Sequence, residues 1–81
     1  MLDEIQKLAD SITGDQALDI QKALGPSYGS FHMLMLSKTE GEATERFSVF
    51  KSEVKSVPIA TLFALHGELT DDQRSILEDL L

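Results

Sequence analysis

A nearly continuous apolar segment, residues 31–36, restricts the folds open to this chain more than any other feature. It reads Phe-His-Met-Leu-Met-Leu and has polar residues on both sides. A short run that is apolar at almost every position is typical of a strand covered on both faces. We therefore expect a buried strand here, with other parts of the molecule packed on each side of it.

A second strand is predicted over residues 46–51, where polar and apolar side chains alternate and β-favouring phenylalanine and valine occur. The two strands would pair as an antiparallel hairpin. With residues 41–42 as a two-residue turn, Leu36 faces Phe47, whereas a turn one residue earlier sets Leu36 against Glu45. We prefer the first turn because its leading residue is glycine, as a type II′ turn requires.

Two helices are predicted before the hairpin. Residues 2–12 carry apolar side chains with the 3.6-residue period of an amphipathic helix, and the glycine that follows Thr13 supplies a stop. Asp15 is a suitable N-cap for a second short helix, which ends at Gly25 and the proline after it. These two helices would form a helical hairpin.

Two further helices are predicted after the β-hairpin. One has Pro58 in its first turn and stops at Gly67, and the last begins with a capping box between Thr70 and Gln73. The order helix, helix, strand, strand, helix, helix defines an α+β fold. No repeat or linker divides the chain, so residues 1–81 should form a single small domain.

The small size of the chain favours self-association. Its 81 residues include no cysteine, so one small core has to stabilise the fold without disulfides or gain apolar burial from a second copy. A two-stranded sheet covered by helices on one side would leave its other side open. We therefore expect a homodimer whose sheet is extended or covered by the second copy. The predicted interface consists of Phe31, Met33, Met35 and Phe50, with Leu77, Leu80 and Leu81 of the last helix.

The charge of the chain limits its partners. Fourteen acidic residues against seven basic ones give a net charge of −7, which repels nucleic acid and anionic lipid. We expect neither as a direct partner and favour a protein. An alternative function is an acidic inhibitor, from a phage or another mobile element, that mimics DNA and blocks a nucleic-acid-binding protein. Its acidic residues would be Asp3, Glu4, Asp10, Asp15, Asp19, Asp71, Asp72, Glu78 and Asp79.

Residues that could carry chemistry are few. His32 and His66 are the only histidines, and neither belongs to a spacing typical of a zinc site or a catalytic triad. We expect no metal and no cofactor. A second alternative is a small enzyme or ligand-binding domain with a site near His32 that also uses Tyr28 and Glu45.

The beginning of the chain is acidic where a secretory signal would carry lysine or arginine, and the most apolar run, residues 57–65, is about half as long as a membrane span. The sequence therefore predicts a cytoplasmic protein without a membrane segment. Its most favoured function is that of a small acidic, non-enzymatic interaction or regulatory protein that acts as a homodimer.

Overall fold

The structure is a computed structural model that describes residues 1–80, and everything regular in this range is helical. No strand occurs in the described range, so the predicted β-hairpin and the α+β fold class are wrong. The α-helices are α1 (Leu2–Ser11), α2 (Gly14–Leu24), α3 (Tyr28–Met35), α4 (Glu40–Val54), α5 (Ile59–Gly67) and α6 (Asp71–Leu80), with one 3₁₀ turn, Gly25–Ser27, between α2 and α3.

Helix α3 replaces the first predicted strand. It packs against α1, α2 and α4, and neighbours on several sides explain why nearly every position is apolar. Its buried residues, Phe31 and Leu34, are three apart, as the helical period requires, while Met33 and Leu36 are about half exposed. A short apolar run satisfies both the strand and the helix pattern, and the surrounding helices decide between them.

Helix α4 replaces the second predicted strand, and its start explains the error. The Thr39 hydroxyl accepts a hydrogen bond from the Glu42 backbone amide at 3.1 Å, so Thr39 is the N-cap and the predicted turn lies inside the first helical turn. The buried residues Ala43, Phe47 and Phe50 then follow the helical period. The alternation that predicted a strand had the wrong period for the core-facing residues.

The remaining helices agree better with the sequence. Helix α1 lies within the predicted residues 2–12, and α2 ends at Gly25, whose φ of +56° is the one positive value in the described chain. The N-cap of α2 is Thr13 rather than Asp15, because the Thr13 hydroxyl accepts from the Gln16 amide. The predicted capping box at the start of α6 is confirmed, with the Gln73 amide donating to the Thr70 hydroxyl at 3.3 Å.

One hydrophobic core unites the helices, and it includes three residues assigned to the predicted interface. Phe31 and Phe50 pack with tilted rings whose centroids are 5.6 Å apart, and Leu77 joins the same cluster. All three are at most 2% exposed, so they stabilise the monomer's interior rather than an open sheet face. The rest of the core consists of Ile5, Ile20, Leu24, Leu34, Ala43, Phe47, Leu65 and Leu69.

Candidate functional site

The most distinctive surface of the described chain is the outer side of α5. Residues 57–67 contain no Asp, Glu, Lys or Arg, and Pro58 is the N-cap from which α5 starts. Leu65 is the buried residue of this helix, which packs mainly against α2. The side away from α2 therefore has no charged side chain to present to water.

Two large apolar side chains dominate this outer side. Ile59 is 71% exposed and Phe63 is 73% exposed, the highest values among the exposed large hydrophobic residues. They are four residues apart and therefore neighbours on one side of the helix. Ala60 and Ala64, which are also exposed, form a second row beside them. We refer to Ile59, Ala60, Phe63 and Ala64 as the α5 face.

The α5 face is about as large as the largest exposed apolar patch of a typical monomer. Ile59 and Phe63, together with the two exposed alanines, give it an exposed area on the order of 400 Å², and patches of this size are often functional. A helix that is apolar all round is normally buried on all sides. On α5, however, the core covers one side, so the other is available for contact with another molecule.

Hydrogen bonds at the C-terminal end of α5 hold the helix in place. The Arg74 side chain donates from Nε to the His66 carbonyl at 2.7 Å and pairs with Asp71 through Nη1 at 3.1 Å. Just beyond the helix, the Gln16 side chain donates to the Glu68 carbonyl at 2.9 Å. Contacts from α2 and α6 thus fix the end of α5, and the α5 face belongs to a supported helix.

The two predicted interface methionines lie on different sides of α3. In a strand, Met33 and Met35 would share a face, but two residues turn a helix by about 200°. Met33 is 46% exposed and lines a cavity of about 410 Å³ between α3 and α4, together with Val49. Met35 is half-buried and lines a cleft on the other side, beside Ile12. The helix therefore does not bring them into one surface.

The predicted interface leucines of α6 do not form a common site in the described structure. Leu77 is buried in the core. The side chain of Leu80 and the whole of Leu81 lie outside the described residues.

The residues suggested for a ligand site near His32 are only partly brought together. The His32 ring stacks on Tyr28 with centroids 5.6 Å apart, and both line a mostly apolar cleft of about 210 Å³. Glu45 lines the α3–α4 cavity instead, alongside Met33. Within residues 1–80, no group of three or more histidine, aspartate or glutamate side chains is arranged to hold a metal ion.

The acidic residues singled out for DNA mimicry are all exposed on three helices, α1, α2 and α6. Asp71 pairs with Arg74, while Asp72 shares the first turn of α6 with it. Their positions near a helix N-terminus stabilise α6 in any case, because the helix dipole favours negative charge there.

The α5 face was not predicted, although the sequence contains a signal for it. By their spacing Ile59, Leu62, Phe63 and His66 form a single helical stripe, but in the structure Leu62 and His66 are half-buried while the other two are exposed. The available signal was that α5 is apolar on more than one side. Such a helix needs a packing partner on the side that does not face the core.

Comparisons with protein families, curated proteins and solved structures give no match for this chain. In the described part of the chain, no helix combines the length and the apolar character needed to cross a bilayer.

Proposed function

We propose that this protein is a non-enzymatic interaction protein that works as a homodimer, joined through the α5 face. The observation that carries the proposal is the exposure of Ile59 and Phe63, one turn apart, on a helix without charged residues. Exposed apolar patches of this size are often sites of contact with other molecules. The dimer would present its acidic helices to further proteins.

A second copy is the occupant that fits the α5 face best. The chain carries a net charge of −7, yet this face has no charge of its own, so two copies can meet here with little local repulsion. A contact about a two-fold axis buries the same patch on both copies. The dimer also supplies the additional apolar burial that a chain of this size benefits from.

The expected dimer is weak and reversible. Two α5 faces can bury at most roughly 800 Å² in total, which is below the about 1,000 Å² of a stable interface and in the range of weak, transient contacts. The dissociation constant should therefore lie in the micromolar range, on the order of 10 μM. An exchange between monomer and dimer at such concentrations suits a regulatory protein.

The test is sedimentation equilibrium of the full chain between about 1 and 300 μM, a range that brackets the expected dissociation constant. The unmodified protein should pass from a monomer of 8.9 kDa to twice that mass. The variant Ile59→Ser/Phe63→Ser should remain monomeric, with its helical circular dichroism retained because both side chains are exposed.

Matched controls are Leu18→Ser on α2 and Val49→Ser on α4, which remove apolar side chains that are 58% and 50% exposed. Both should dimerise like the unmodified chain. A monomeric mass over the whole range would overturn the proposal. So would an equal loss of dimer in the two controls, because the contact would then not lie at α5.

A further inference from the structure

We infer that the two α5 helices pair antiparallel, with Ala60 facing Phe63 of the second copy and Ile59 facing Ala64 of the second copy. This inference rests on the proposed function, and it adds the direction and the register of the pairing. It follows from the distribution of large and small side chains on the α5 face.

The α5 face consists of a ridge of large side chains and a groove lined by small ones. Ile59 and Phe63 are four residues apart and form a row of large exposed side chains. Ala60 and Ala64 form a parallel row of small side chains directly beside it. Helices pack by placing such i, i+4 ridges into the grooves of a neighbour. The α5 face thus contains both halves of a complementary contact.

The direction follows from the symmetry of a homodimer. In a parallel two-fold pair, each residue lies opposite its own copy, so Phe63 would meet Phe63 and Ala60 would meet Ala60. Large side chains would then separate the helices at one level and leave a gap at the next. In an antiparallel pair, large residues can lie opposite small ones throughout. Antiparallel helix dipoles also attract rather than repel each other.

The register follows from matching sizes. When Ala60 faces Phe63 of the second copy, the antiparallel register places Ile59 opposite Ala64, and both contacts join one large and one small side chain. A shift of one residue in one direction sets Ile59 against Phe63. The opposite shift sets Ala60 against Ala64 and leaves a void, which costs contacts that close packing would supply.

A size-swap experiment tests this register by sedimentation equilibrium. Phe63→Ala and Ala60→Phe should each weaken the dimer at least about 10-fold, since one leaves small facing small and the other large facing large. The double variant Ala60→Phe/Phe63→Ala should return to within about 3-fold of the unmodified protein. In that variant, every large residue again faces a small one.

The control is Phe63→Ala/Ala64→Phe, which has the same composition and keeps the large residue on the same face. Here the new Phe at position 64 would lie opposite Ile59, so the dimer should stay weak. Equal rescue by both double variants, or rescue by neither, would overturn the register. Single variants that leave dimerisation unchanged would overturn the proposed function itself, and the two failures are therefore distinguishable.

The direction is tested with a nitroxide spin label on Glu68→Cys, one turn beyond Ala64 in a chain that has no other cysteine. At 1.5 Å per residue, antiparallel pairing places the two copies of residue 68 roughly 20 Å apart, whereas parallel pairing places them about 10 Å apart. A label separation near 20 to 30 Å is expected. Strong short-range broadening below about 15 Å would overturn the antiparallel arrangement.

Discussion

The side-chain amides of Gln16 and Gln73 pair with each other and join the starts of two helices that are distant in sequence. Gln73 donates from Nε2 to Gln16 Oε1 at 3.1 Å, and Gln16 donates back to Gln73 Oε1. Each glutamine also closes the capping box of its own helix, with Thr13 on α2 and with Thr70 on α6. Gln73 further donates to the Ser11 hydroxyl at 3.0 Å. The two caps therefore form one network.

Gln73→Ala should destabilise the protein by about 2 to 3 kcal/mol, because it removes a cap and leaves buried polar groups unpaired. Gln73 is 3% exposed, so water cannot replace these bonds easily. Urea unfolding measures the loss, with the exposed Gln21→Ala as the control. A double-mutant cycle with Gln16→Ala should give a coupling of at least about 0.5 kcal/mol, and additive losses would argue against the paired amides.

Thr39→Ala should cost about 0.5 to 2 kcal/mol, because the Glu42 amide loses the hydroxyl oxygen that caps α4. The control is Thr44→Ala, which changes an exposed residue inside the same helix and should be neutral or slightly stabilising. Thermal unfolding compares the stabilities of the two variants. Equal effects would show that α4 does not begin at Thr39.

Ser37→Ala should stabilise the protein by roughly 0.5 to 1 kcal/mol. The Ser37 side chain is buried, and its hydroxyl has no hydrogen-bond partner among residues 1–80, so its removal ends a desolvation cost. Ser11→Ala is the contrasting variant, because the Ser11 hydroxyl donates to the Leu8 carbonyl at 2.7 Å and its loss should destabilise. A loss of stability in Ser37→Ala would contradict this account.

The contact between α1 and α4 should make stability depend on pH. The Leu2 backbone amide, at 3.0 Å, and then the amino group of Met1 hold the pKa of Glu40 below its usual value of 4.5. A carboxylate whose pKa is lower in the folded state stabilises the fold above its unfolded pKa, and this stabilisation is lost as the pH falls through the folded value.

Between about pH 5 and pH 3, the urea midpoint of Glu40→Gln should therefore fall less than that of the unmodified protein. Urea midpoints across this range provide the measurement. Glu45→Gln removes the same charge from the same helix beyond its first turn, so the difference between the two profiles reports the contact with α1 together with the helix-dipole effect on Glu40. Superimposable profiles for the two variants would show that this contact does not contribute.

Salt should strengthen the proposed dimer. Each copy carries a net charge of −7, so two copies repel at long range, and added salt screens that repulsion. The dissociation constant should fall by about 3-fold or more between 20 and 300 mM sodium chloride. A contact built on opposite charges, like that of a DNA mimic with its target, would weaken instead. Weakening of the dimer by salt would contradict burial of the uncharged α5 face.

Local signals predicted some helix ends correctly and missed others. Thr70 and Gln73 were recognised as a capping box, and the same kind of signal stands at Thr13 and at Thr39. At both positions a glycine lies next to or close after the threonine, and a glycine there is equally typical of a helix stop or a turn. The hydrogen bonds of these caps span three residues, so the sequence contains the information.

Tertiary packing determined the features of the fold that local sequence patterns did not predict. Residues 31–36 satisfy the strand and the helix pattern equally, and only the presence of α1, α2 and α4 around them selects the helix. The same limit applies to the candidate site, since Leu65 and Phe63 are both apolar residues of one helix. Which of them is buried depends on where α2 lies, and no local pattern contains that position.

The hydrogen bond from Gln73 to Ser11 closes a loop of 62 residues. The end of α1 and the start of α6 therefore depend on each other, although nearly the whole chain separates them. Opening either one leaves the other with unpaired polar groups, so fraying from one side is coupled to fraying from the other. The C-terminal end of α1 and the N-terminal end of α6 should therefore open in one cooperative step, and a single side-chain hydrogen bond thereby links the unfolding of the first helix to that of the last.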